Sequence, residues 1–101
     1  MRFEWDSAKN ESNLERHALD FADAWRVFDG PMITKDDDRF DYGEVRTIGV
    51  GLLHQLVVVI VFTERNGDII RMISLRRARK NERQQFYKSL AQRLGKTEDD
   101  V

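Results

Sequence analysis

Apolar positions along the chain change their spacing three times, and each change marks an element. Phe3-Glu4-Trp5 alternates as a short strand does, and Asp6 then offers an N-cap for a polar helix reaching about His17. Asp20 is placed to cap a second helix. There Phe21, Ala24, Trp25 and Phe28 fall at i, i+3, i+4 and i+7, a single apolar stripe, before Asp29-Gly30-Pro31 ends it. The tract Lys35 to Glu44 shows no apolar periodicity and reads as an exposed acidic loop. From Val45 the period becomes that of strands: Val45 to Leu53, Gln55 to Thr63 and Asp68 to Leu75, with LVVVIVF apolar on both faces and therefore central. Asn66-Gly67 predicts a two-residue type I′ hairpin turn, which would set Phe62 opposite Arg71, Val59 opposite Ser74 and Val57 opposite Arg76. Val58, Ile60, Phe62, Arg71, Ile73 and Leu75 would then share one face, an assignment that a bulge would invert. A last helix is predicted from about Ala78 to Leu94, with Phe86, Tyr87, Leu90, Ala91 and Leu94 on one stripe and Gly95 closing it. The order predicts an α+β fold. Residues 1–95 form a single compact domain, with an antiparallel sheet of about four strands, two N-terminal helices and one C-terminal helix, and 96–101 form a polar, frayed tail.

The 101 residues suffice for one modest core, and 41% hydrophobic with 35% charged residues gives a globular chain with a highly charged surface. Cysteine is absent, which removes disulfides, thiolate zinc sites and cysteine nucleophiles, and fits a reducing cytoplasm. The longest apolar run, Leu56 to Phe62, is far too short to span a bilayer, so the sequence reads as soluble, intracellular and without a membrane partner. Charge changes the picture most. Between Arg71 and Arg93 lie eight cations and one acid, Glu82, giving this stretch net +7 in a protein of net −1. Such segregation suits a surface that holds phosphates, or else a solvated basic helix. Asp36-Asp37-Asp38 with Asp41 lacks the spacing of an EF-hand, and there is no HExxH, Gly-rich phosphate loop or nucleophile elbow. No metal or cofactor is expected.

FEWDSAK with Asn13 and His17 following, FADAWRVFD, and VVVIVFTERNGDIIRMISLRRARKNERQQFY together resemble the BrnT family of bacterial type II toxins. The resemblance covers most of the chain, leaving out the acidic loop and the tail. It implies a fold similar to the RelE-type ribonucleases, cleavage of RNA with inhibition of translation, and a cytoplasmic location. It also implies neutralisation by a cognate ribbon-helix-helix antitoxin, BrnA-like, through which alone the chain would meet operator DNA. Ala18 stands where glycine commonly follows the histidine in that family, and Leu75 where alanine commonly follows Ser74.

Metal-independent RNA cleavage requires a protein to orient the backbone, stabilise extra negative charge at phosphorus and move protons. Arg76 and Arg77 lie at the predicted strand-to-helix junction, beside a helix N-terminus that also favours anions, and a guanidinium suits the charge-stabilising task. Arg71 joins them as a catalytic candidate, though it also has Glu64 as a possible ion-pair partner on the same predicted face. His17 carries the one side-chain type suited to proton transfer near neutrality without help and is the candidate general acid or base, its plainer role being a helix C-cap or surface residue. Glu82 completes the catalytic set; neighbouring cations would keep it ionised, and an intrahelical pair with Arg79 or Arg83 is its structural alternative. Lys9, Arg65, Arg79, Lys80, Arg83 and Tyr87 are the candidate RNA contacts, although Arg65 would sit roughly 25 Å from Arg76 on an ideal ladder. Trp5 belongs in the core, and His54 has no motif around it. A non-catalytic RNA- or protein-binding module, an inactive toxin homologue, is the rival reading, since the same groups bind RNA without cutting it.

Overall fold

The computed structural model describes residues 1–39, 41 and 43–99, so Phe40 and Tyr42 of the expected acidic loop and Asp100 and Val101 of the expected tail lie outside the described residues. Five strands, β1 (Arg2–Glu4), β2 (Met32–Asp37), β3 (Arg46–Leu53), β4 (Leu56–Arg65) and β5 (Ile69–Arg77), form one sheet in the order β1-β5-β4-β3-β2. The helices are α1 (Ser7–His17), α2 (Trp25–Phe28) and α3 (Lys80–Asp99), with a 3-10 turn over Phe21–Asp23. On one face of the sheet Leu19, Phe21, Ala24 and Val27 pack on Val58, Ile60, Phe62, Ile70, Met72 and Leu75. On the other face Phe86 and Leu90 of α3 cover only Val57, Val59 and their neighbours. None of the described helices is long and apolar enough to cross a membrane.

The α+β class is as the sequence predicts, and several details differ for physical reasons. The sheet has five strands rather than about four and is mixed, because β1 runs parallel to β5, Arg2 beside Ile69 and Glu4 beside Arg71. The extra strand, β2, overlaps the start of the expected acidic loop. Met32 and Ile33 point into the two opposite cores, and pairing from Met32↔Gly51 to Asp37↔Arg46 carries the polar residues along as an edge strand. Polar, charged edges are how sheets discourage further pairing, so polarity here marks an edge and not a loop. Asp37 is buried because Arg39 grips its carboxylate through two bonds of 2.7 and 2.8 Å.

The hairpin register also differs. Asn66 and Gly67 both take positive φ, yet the ladder resumes at Arg65↔Ile69, one residue beyond a two-residue turn. Phe62 therefore opposes Met72, and Thr63 opposes Arg71, which puts Ile70 and Met72 in the core and Arg71 on the other face. A bulge then leaves Ile73 unpaired, because Val61 opposes Ser74 and Phe62 opposes Met72. Past it Ile60↔Leu75, Val59↔Arg76 and Val58↔Arg77 follow, so Leu75 returns to the core face.

The second helix is shorter than its stripe suggests: Asp20 caps a 3-10 turn, accepting from Ala22 N–H, and only one α turn follows. Phe21, Ala24 and Val27 are buried while Trp25 is exposed, stacked under the Arg26 guanidinium at 4.6 Å. The turn seats directly on β3, where a Cβ at Gly51 would lie 2.8 Å from Val27 Cγ1. α3 begins at Lys80 rather than Ala78 and runs through Gly95 to Asp99. A helical glycine costs about 1 kcal/mol relative to alanine and stops a helix only when it turns left-handed.

Candidate functional site

Two openings flank the end of β5. In the first, Arg16, His17 and Ala18 from the last turn of α1 face Arg76, Arg77 and Arg79 across a shallow cleft. The order of the chain explains the meeting. Asp6 starts α1 by accepting from Lys9 N–H at 3.0 Å, and Ala18 ends it in the left-handed region at φ 57° with its N–H bonded to Leu14 O. That turn delivers half-buried His17 to the strand end. Arg77 opposes Val58 and so shares the α1 side of the sheet; Arg76 opposes Val59 and shares the other.

The two arginines differ in state. Arg76 donates both terminal nitrogens to the Glu82 carboxylate at 2.8 Å each, and a third bond to Arg77 O at 3.2 Å. Glu82 also accepts from Arg79 N–H at 2.7 Å, the reach-back of a third-position glutamate to the residue before a helix. Bonding to the Arg76 guanidinium holds the Glu82 carboxyl down at about 2, and the same bond raises Arg76. Glu82 thus pairs with Arg76 across the junction instead of with Arg79 or Arg83 in its own helix, and that bond favours its ionised, weakly basic form. The Arg77 guanidinium is exposed and, among the described residues, has no hydrogen-bonding or ionic partner.

The second opening is a trough on the far face of the sheet, with a floor that includes Ile33, Ile48, Val50, Val59 and Val61 and a wall formed by Phe86 of α3. Arg76, Arg79 and Glu82 line it as well, so the junction residues separate the trough from the basic cleft. Lys35 and Arg39 lie on its opposite rim.

Of the sequence candidates, the cleft gathers His17, Arg76, Arg77 and Arg79, with Glu82 beside them. Arg71 and Arg65 are not brought there. They lie toward the hairpin end of the β4–β5 ladder, where Arg71 pairs with Glu4 at 3.4 Å instead of Glu64, and Arg65 with Glu4 and Glu44 at 3.9 and 3.7 Å. The six residues from Arg71 to Arg77 span about 20 Å. Lys9 is exposed eight residues before His17, about 12 Å along α1. Arg83 donates to Ala78 O at 2.9 Å, Lys80 is exposed at the start of α3, and Tyr87 is exposed with its ring edge-on to Phe86. Arg16 is a cleft residue that the sequence candidates omit; its adjacency to His17 at a helix end was the available signal. Among the described residues no group of three or more His, Asp or Glu side chains converges as a metal site would require.

The family model described as the ribonuclease toxin BrnT of type II toxin-antitoxin systems matches residues 5–82. The fold is similar to the 1.1 Å crystal structure of the Brucella abortus ribonuclease toxin BrnT, with a TM-score of 0.62 and 24% identity over 79% of this chain and 99% of that one. At that identity the likeness is one of fold. No curated protein matches the sequence.

Proposed function

Because the chain belongs to the BrnT family of ribonuclease toxins of type II toxin-antitoxin systems, we propose that its basic cleft is where it cuts RNA, without a metal ion, by attack of a 2′-hydroxyl on the adjacent phosphorus. The observation that carries this reading is the juxtaposition in one cleft of the Arg77 guanidinium, without a partner among the described residues, and the half-buried His17 imidazole. As the P–O2′ bond forms, negative charge builds on the non-bridging oxygens, and a donor aimed at that charge stabilises the transition state more than the bound substrate. Arg77 is the donor; Arg16, Arg79 and Lys80 supply the field that holds the backbone. His17 exchanges a proton with the attacking or the leaving oxygen. Rupture of the P–O5′ bond leaves a 2′,3′-cyclic phosphate on one fragment and a 5′-hydroxyl on the other. Arg76 acts differently from its neighbour, because its fork is held by Glu82 and orders the junction.

The natural inhibitor in this reading is a cognate antitoxin, of ribbon-helix-helix type, that covers the basic cleft. Purified protein incubated with RNA in EDTA is expected to cleave it and to leave 2′,3′-cyclic or 3′-phosphate ends. Cleavage that appears only after Mg²⁺ is added would sink the mechanism, and RNA binding without cleavage would make the chain a non-catalytic module.

A further inference from the structure

Asn13 is the buried residue of α1 and takes no part in the chemistry above. Its carboxamide engages every hydrogen-bonding direction that matters. Nδ2 donates to Leu19 O at 3.0 Å and to Leu75 O at 2.8 Å, and Oδ1 accepts from Leu75 N–H at 3.2 Å. β1 accompanies β5 only from Ile69 to Arg71, so at Leu75 no strand lies on that edge. The Asn13 amide fills the vacant place, presenting to Leu75 the donor and acceptor that a neighbouring strand would present. Leu75 is fully buried, so its N–H and C=O have no water to turn to.

The consequence is geometric. His17 follows Asn13 by four residues on the same helix face, about 6 Å along the axis. Arg77 follows Leu75 by two residues on the same strand face, about 6.6 Å. Fixing Asn13 at Leu75 therefore carries His17 to the level of Arg77. The bond to Leu19 O holds the segment just beyond Ala18, so the last helical turn is gripped from both sides. We infer that Asn13 is a positioning residue: it sets the register of α1 on β5 that keeps His17 beside Arg77, and it does so without contact with RNA. Its effect on turnover rests on the reading of the cleft as the cleavage site; its effect on geometry does not.

The test uses Asn13→Asp, which keeps size and an acceptor but sets a carboxylate against two carbonyl oxygens, and Asn13→Ser, which is uncharged and too short to bridge. Inorganic phosphate is titrated into each protein while NMR follows the His17 imidazole and the Arg77 Nε–H, and kcat and KM are measured on a short RNA. In the wild type both signals are expected to move along one binding curve. In the folded variants Arg77 alone should respond, kcat should fall about a hundredfold, as misplacement of about 1 Å can cause, and KM should stay close to the wild-type value. Variants whose two signals still move together with unchanged kcat overturn the inference, and so does global unfolding of both variants, which would make Asn13 a structural clamp. Wild-type protein whose signals move together but which leaves RNA intact would refute the cleavage reading and not the register. Wild-type protein that cuts RNA while phosphate moves Arg77 without His17 would refute the register and not the cleavage reading.

Discussion

Arg76 and Arg77 are adjacent, carry the same charge and sit in opposite circumstances: one is clasped by Glu82 and the other is unpartnered among the described residues. Removing the unpartnered one should therefore expose a catalytic role most cleanly. Arg77→Ala is expected to lower the cleavage rate about a hundredfold, roughly 3 kcal/mol of transition-state stabilisation, with melting temperature nearly unchanged. Lys88→Ala, an exposed cation from the same basic stretch, should weaken RNA binding to a similar small degree and leave the rate intact. Equal rate losses would reduce the segment to an electrostatic landing surface. A second residue-scale outcome concerns Ala18, held at φ 57° where a Cβ is strained. Ala18→Gly should stabilise the protein by about 1 kcal/mol, seen as a rise in melting temperature of roughly 4–8 °C for a domain of this size. An unchanged or lowered midpoint would show that the turn bears no such strain. The presence of two guanidiniums at the junction was legible in the sequence. Which of them is occupied was not, because that depends on the strand face each takes and on a glutamate arriving from the next helix.

At the scale of elements, Glu82 is the tie between β5 and α3, bonding the Arg76 side chain and the Arg79 N–H at once. Its carboxyl is held at about 2, below the ordinary 4.5, so the tie contributes stability that is fully present above about 4.5 and is lost as pH falls through about 2. Glu82→Gln should accordingly melt earlier than the wild type at pH 7, by an amount on the order of 1 kcal/mol for a half-buried pair still partly screened by solvent. That gap should close between pH 4.5 and 2; a gap that persists at pH 2 would mean that the charged form is not what the tie requires. Element types were readable where period and capping agreed, as in Asp6 with α1 or LVVVIVF with β4. They were misread where a tertiary partner overrode local pattern: β2 is a strand because β3 lies beside it, and buried Asp37 is held by Arg39 from beyond the strand.

For the whole molecule, one end of the sheet gathers Arg16, Arg76, Arg77 and Arg79 while acidic Asp36 and Asp38 lie on and just after the opposite edge strand. If the basic cleft is the cleavage site, a partner that silences the protein should cover this end, and its association should be steered by charge. Association of the cognate antitoxin measured from 50 to 500 mM salt is expected to slow progressively while dissociation changes less. A salt-independent on-rate, or a bound complex that still cleaves RNA, would place the antitoxin elsewhere. The class of fold and the basic segment were plain from the amino-acid order. The closeness of His17 to Arg77 was not, since sixty residues separate them and only the docking of α1 on β5 joins them.

Ile73 gives the hairpin a property best put in the language of a reading frame. Ile70 and Met72 face the core with a step of two, the next core residue, Leu75, comes after a step of three, and the supernumerary residue between them shifts the phase of everything downstream. Excision of Ile73 would leave every β4–β5 partnership as it stands, Phe62 with Met72 and Val61 with Ser74, and only the local kink would go. Loss of a single residue from uninterrupted alternation, such as Val59, would instead exchange inside for outside along the rest of its strand. The chain thus carries, a few residues before its arginine pair, a place where length can change without scrambling the message.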